Sequence, residues 1–316
     1  MSQKKIIVVV GATGAQGGAL VDAILADPAS PFAVRALTRD PKSEKGRALA
    51  ARGVEVVGAD LTDQGSIERA FAGAHGAFCV TFFWAHFSAE KEQAEALHLA
   101  RAAKAAGLKH VVWSTLEDTR QWLPLSDQRM PVLQGKYHVP HFDAKGEANR
   151  YFADAGVPTT YLNTAFYWEN FIFFGLGPKR GPDGKLAITM PMGHAKLPGI
   201  AVADIGRAAY AIFKSGEPLV GKTIGIAGEH ATGAQMAAAM GKALGEDVQY
   251  NEVSADVYRA FGFAGADEMG NMFQIKRDFE TQYCANRPLD AARALVPSLL
   301  GFDTWLAQNA KRIPLQ

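Results

Sequence analysis

The stretch "HFDAKGE" at residues 141–147 sets His141 and Lys145 four residues apart, directly after Pro140. Side chains at this spacing share one face of a helix. An imidazole can move a proton near neutral pH, and a lysine can assist such a step or hold the hydroxyls of a bound molecule. The spacing leaves both chemistries open. His138 and His141, three residues apart, have no cysteine or carboxylate cluster at ligand spacing, so no metal is expected there.

A second signal precedes it. In "VVVGATGAQGG", Gly11, Gly14 and Gly17 recur every third residue between an apolar β-branched run and a helical pattern. That context suits a tight turn whose backbone amides, with the positive end of the following helix, face a pyrophosphate. Glycines also let any strand turn sharply into a helix, but here the motif has a strand before it and a helix after it, as dinucleotide binding requires. About twenty residues on, an NAD site places an acid at the end of the second strand. The sequence reads "ALTRDPKS" there: Thr38, Arg39 and Lys42 suit the 2′-phosphate of NADP(H), whereas Asp40, if it faced the ribose, would favour NAD.

The elements that must position these residues follow a βαβ rhythm. Strands are expected at 6–10, 33–38, 54–60, 76–81, 110–114 and 159–163, with helices at 15–26, 43–52, 64–73, 88–106 and 143–155. The helix "SAEKEQAEALHLARAAKAA" opens on Ser88 and ends at Gly107. The fold class is α/β: a Rossmann-type doubly wound parallel sheet with a smaller, discontinuous α/β C-terminal domain. The first domain is expected to take residues 1–163 and about 200–227, the second about 164–199 and 228–316. Within the second, "TAFYWENFIFFGLGPKRGPDGK" reads as a long functional loop, residues 232–244, 254–261 and 264–279 as a helical cap, and Asp204 as a helix cap.

Composition narrows the partners. The 316 residues are 48% hydrophobic and 21% charged, and 33 basic against 32 acidic residues leave a formal charge of +1. Nothing there favours nucleic acid or an anionic membrane, and the aromatic run "FYWENFIFF" reads more simply as a pocket wall than as a base-stacking platform. Two cysteines, Cys79 and Cys284, fit a reducing compartment rather than a disulfide framework. The run after "KK" is too short for a signal peptide, and no run has the length of a membrane helix, so a cytoplasmic protein is expected, monomer or homodimer.

"GATGAQGG", "LTRDPK", "HFDAKGE" and "YWEN", with "DLTDQ", "NMF" and "FDTWL", together resemble the NmrA-like family, atypical members of the short-chain dehydrogenase/reductase superfamily. The likeness is nearest to members that sense the balance of NADPH and NADP+. It implies a phosphate loop of Gly11, Ala12, Thr13, Gly14, Ala15 and Gln16 ahead of Gly17, a 2′-phosphate site at Arg39 and Lys42, and an adenine contact at Asp60 and Leu61. It further implies that Thr81, Phe82 and Phe83 flank the ribose and nicotinamide, that Lys145 reaches the ribose hydroxyls, and that Tyr167, Trp168, Glu169 and Asn170 close over the ring. Two departures stand out: the family's threonine, asparagine, tyrosine, tryptophan run reads "TFFW" here, and "RQWLPLSDQRMPVLQGKY" is inserted before the lysine motif.

In reductases of the wider superfamily a tyrosine four residues before the lysine donates the proton, and a serine on the fifth strand binds the carbonyl oxygen. Ser114 and Lys145 are in place, but His141 holds the tyrosine position. An imidazole beside a lysine cation is a poor reservoir of the proton it would have to give. Tyr137, eight residues before the lysine and separated from it by Pro140, cannot take the helical position. The expectation is an NADP(H) sensor acting on a protein partner; the alternative is an NADPH-dependent reductase of a flat apolar quinone, carbonyl or enone.

Overall fold

The computed structural model describes residues 4–315. In chain order the first elements are β1 (Lys5–Val9), α1 (Ala15–Leu25), β2 (Phe32–Thr38), α2 (Glu44–Ala51), β3 (Glu55–Gly58), α3 (Gln64–Phe71), β4 (Gly76–Cys79), α4 (Ala89–Ala105), β5 (His110–Thr115), α5 (Pro140–Asp154) and β6 (Thr159–Asn163). Then come β7 (Phe166–Tyr167), α6 (Asn170–Phe173), β8 (Lys179–Arg180), β9 (Leu186–Met190), β10 (Lys196–Ile200), α7 (Val202–Ser215), β11 (Thr223–Gly225) and β12 (Glu229–Thr232). The chain ends with α8 (Gly233–Leu244), β13 (Val248–Glu252), α9 (Ala255–Arg259), α10 (Ala266–Asp278), α11 (Glu280–Ala285), α12 (Leu289–Leu295) and α13 (Phe302–Asn309).

The main sheet has seven strands in the order β11-β6-β5-β4-β1-β2-β3, and β1 to β6 run parallel. Helices on both faces bury such strands completely, which is why "IIVV" and "HVVWST" read as unbroken apolar or β-branched runs rather than alternating ones. Val8, Leu37, Cys79, Val111 and Trp113 pack with Ala96, Leu99, Ala100 and Ala103 of α4 and with Ala148 and Phe152 of α5. The small alanines bring these helices close to the sheet. After β3 the chain returns to the far side of β1 to lay down β4, so the strand order reverses between β1 and β4 and opens a crevice at their C-terminal ends, where this fold class takes its ligands.

The chain divides into two compact units. One comprises the chain through Asp118 with His141–Asn163 and Ile205–Ile224, and the other comprises Thr119–Pro140, Thr164–Asp204 and Gly225 onward. Residues 119–140, expected with the first unit, pack with the second: Asn271 on α10 donates to the Pro131 and His138 carbonyls, at 3.0 and 2.7 Å. The second unit carries two small three-stranded sheets, β12-β10-β7 and β13-β9-β8. The segment expected to be a long loop thus contains β7, α6 and β8, elements of two to four residues that are too short to show a period.

Asp204, expected ahead of the helix, falls in its first turn. It lies inside α7 and accepts the Leu300 N–H at 2.8 Å, while the first residue of the helix, Val202, donates its N–H to Glu169 at 2.9 Å.

Candidate functional site

The turn after β1 is built on glycine for steric reasons. Gly11 has φ +65°, where a side chain is strained, and a Cβ on Gly17 would overlap the Gly11 carbonyl oxygen. Gly14 donates to Gly11 O at 2.9 Å, closing the turn, and α1 begins at Ala15 with no side-chain cap. The first-turn amides of α1 therefore point, with the positive end of the helix dipole, at the space ahead of the turn. Gly11, Gly14 and Ala15 are exposed there, Thr13 and Gln16 half-buried, and Ala12 and Gly17 buried beneath.

At the end of β2, Arg39 and Lys42 are exposed. The neighbouring carboxylate is engaged: Asp40 accepts the Lys42 N–H at 2.8 Å, and the Asp40 N–H donates to the Thr38 hydroxyl at 3.4 Å. Beyond β3, Asp60 accepts the Thr62 N–H and hydroxyl, both at 2.8 Å, and these bonds, the backbone one first, hold its carboxyl below the usual carboxylate range. The Leu61 carbonyl meets the His98 ring at 2.8 Å.

A buried polar cluster lies past β4. Lys145 Nζ donates to the Thr81 hydroxyl at 2.6 Å, to the Thr81 carbonyl at 3.2 Å and to Glu92 Oε1 at 2.7 Å. The Thr81 hydroxyl in turn donates to Glu92 Oε1 at 2.5 Å. Lys145 also lies over the Trp113 ring, 5.2 Å from its centroid. Its place is fixed by α5: the Thr115 hydroxyl bonds to the Lys145 carbonyl and to Asn149, and Gly146 lets the helix touch the strand exit, since a Cβ there would be 2.5 Å from Asp118 N. Glu92 is wholly buried. Removing either partner of such an ion pair strands the other charge, at a cost of about 3–5 kcal/mol.

Glu92 belongs to a wider group. His86 Nε2 lies 3.7 Å from Glu92 Oε2 and 3.9 Å from Glu95 Oε1. The three side chains are close enough to hold a cation, but the Ser88 N–H donates to His86 Nδ1 at 3.0 Å. The neutral ring therefore carries its hydrogen on Nε2 and turns a donor, not a lone pair, toward the carboxylates. Burial, then the charge of Glu92, pushes Glu95 up to about 7, and burial lowers His86.

The remaining expected residues divide. The Ser114 hydroxyl donates to Gln16 Oε1 at 2.8 Å, tying β5 to the glycine turn. The His141 ring is buried among Trp84, Phe142 and Phe83, with centroids 4.9, 4.8 and 5.8 Å away. Phe83 is buried and begins a short 3-10 turn, whereas Phe82 is 57% exposed. Tyr167, Trp168, Glu169 and Asn170 belong to the second unit. There Trp168 is buried against Phe302 and Trp305, and Glu169 accepts the Trp305 indole N–H at 3.0 Å besides capping α7. Tyr167 and Asn170 are half-buried. In the same unit Tyr137 is buried with Arg120 and Lys136 over its ring, and both nitrogens of His138 face carbonyls, of Pro131 and Pro124. Two residues of the site gave no sequence signal: Glu92, and Lys45, whose ammonium reaches Thr13 O in the glycine turn at 3.3 Å.

A glycine turn at the strand-order reversal of a parallel sheet defines a doubly wound α/β protein of the Rossmann type. The model of the NmrA-like family matches residues 3–306, and the chain belongs to that family. The NmrA-like family domain-containing oxidoreductase FrzB of a Cladobotryum species is 27% identical over 310 residues, 92% of this chain and 89% of its own length. The NAD(P)H azoreductase of Xenophilus azovorans is 30% identical over 253 residues, 79% and 78% of the two chains. Among solved structures, NmrA, a negative transcriptional regulator in complex with NADP, superposes with a TM-score of 0.80 at 25% identity, covering 97% of this chain and 95% of that one.

Proposed function

We infer that this chain is an NADP(H)-binding regulator that responds to the NADPH/NADP+ ratio. The first unit suits the cofactor: Gly11 takes the left-handed backbone of the turn, Gly17 lets α1 start against the Gly11 carbonyl, and Arg39 and Lys42 are exposed for a 2′-phosphate. Bound NADPH supplies a hydride. The chain's own residues bind and orient: the α1 amides take the pyrophosphate, Arg39 and Lys42 the 2′-phosphate, Asp60 and Leu61 the adenine edge, and Lys145 with Thr81 the nicotinamide ribose.

The observation that carries the regulatory reading is the surroundings of His141. In the position from which superfamily reductases donate a proton, this chain has an imidazole packed among Trp84, Phe83 and Phe142, one turn from a lysine that is already gripped by Thr81 and Glu92. That is a lysine for holding a cofactor without the usual proton donor.

A second reading, an NADPH-dependent reductase of flat apolar compounds, is favoured by the exposed ring of Phe82 next to Thr81 and by the name of the azoreductase relative. The two part on one experiment: purified protein with NADPH and a panel of azo compounds, quinones, aldehydes and enones, followed by cofactor absorbance. The regulatory reading expects no turnover above the protein-free rate. Steady consumption would replace it with the reductase, and His141→Phe would then tell whether the imidazole takes part.

A further inference from the structure

We propose that Glu92 sets which oxidation state of NADP(H) the chain prefers, an inference that rests on the cofactor reading above. The nicotinamide ring carries a positive charge when oxidised and none when reduced. Net charge at that end of the site therefore weighs on one state and not on the other.

Lys145 is the cation there, and Glu92 is its counter-ion. The two are 2.7 Å apart, the Thr81 hydroxyl bonds to both, and Glu92 has no exposure to solvent. One carboxylate oxygen is committed to that grip. The other, Oε2, has no hydrogen-bond partner among the described residues and faces His86 Nε2 at 3.7 Å, with Glu95 behind. A structural ion pair of ordinary kind satisfies both oxygens; here one oxygen is so satisfied and the other turns its charge toward His86 and Glu95 without a hydrogen bond.

With Glu92 ionised, the pair is neutral overall and the oxidised ring meets no opposing charge. With that charge removed, the full charge of Lys145 opposes NADP+ and leaves NADPH untouched. One such uncompensated charge, several ångströms away at an effective dielectric of about 20, changes an equilibrium by on the order of tenfold.

The test is calorimetry of nucleotide-free protein with NADP+ and with NADPH, for the unaltered chain, Glu92→Gln, Glu92→Asp and the double variant Glu92→Gln/Lys145→Met. Glu92→Gln should weaken NADP+ about tenfold relative to NADPH, whereas Glu92→Asp, which keeps the charge, and the double variant, which removes both charges, should return the ratio of the unaltered chain. Should Glu92→Gln fail to fold, Lys145→Met, which leaves the Glu92 charge uncompensated, decides: a ratio shifted toward NADP+ supports the proposal and a parental one overturns it. Parallel loss of both ligands in Glu92→Gln overturns it too and makes Glu92 merely structural. If the unaltered chain binds neither ligand, it is the cofactor reading itself that falls.

Discussion

Arg39 and Glu92 are both charged residues of the candidate site, and only one of them announces itself in the sequence. Arg39 follows a strand at the distance where dinucleotide folds read the ribose, beside Asp40, whose carboxylate accepts the Lys42 amide at 2.8 Å. A guanidinium bonded to a phosphate contributes about 1.5–3 kcal/mol. Arg39→Ala should therefore lower NADP(H) affinity by roughly ten- to a hundredfold and leave NAD(H) almost unchanged; titration with the two cofactors checks this, and equal loss of both would remove Arg39 from the 2′-phosphate. Glu92, in contrast, is one of four acids and lysines in the first turns of "SAEKEQAEAL" and looks like part of a solvated helix face. Its burial depends on residues distant in the sequence, among them Lys145 of α5 and Thr81 beyond β4. Lys45 is hidden in the same way among the charges of α2.

The secondary structure of the first unit is legible because its central strands β4 and β5 are buried throughout and its helices carry their own signals, such as the Ser88 hydroxyl that accepts the Lys91 N–H at the start of α4. The second unit is less so: β7 and β8 are two residues each, and β13, "VQYNE", offers mostly polar side chains and finds its partner only by lying parallel to β9. At this scale α4 has a consequence of its own. It presents Glu95 beside Glu92, with His86 and Lys145 facing the pair and Asp60 and Arg39 acting from the β3 and β2 ends. Burial and Glu92 move Glu95 from 4.5 up to about 7. Between those values the unfolded chain has lost the proton that the folded chain keeps, so stability should fall as pH rises through this window and level off above it. The shift corresponds to roughly 3 kcal/mol, and the side chain is only 15% exposed. Melting temperatures from pH 4.5 to 8 should show a downward slope in the unaltered chain that flattens in Glu95→Gln; identical slopes would mean that Glu95 titrates normally.

For the molecule as a whole, composition sets few limits beyond near-neutral charge, and among the described residues no helix is long and apolar enough to cross a membrane. The discontinuous two-unit plan was legible in outline from the change of rhythm after Asn163. The allegiance of residues 119–140 was not, because it depends on hydrogen bonds from α10, more than a hundred residues further along the chain. What unites these observations is a berth in the first unit for a phosphorylated adenosine cofactor, with the charge on Lys145 balanced from within. Its most direct test is isothermal calorimetry on nucleotide-free protein titrated with NADPH, NADP+, NADH and NAD+. The account predicts saturable one-to-one binding of the two phosphorylated forms, at least about tenfold tighter than their unphosphorylated counterparts; no heat with NADPH or NADP+ would contradict it.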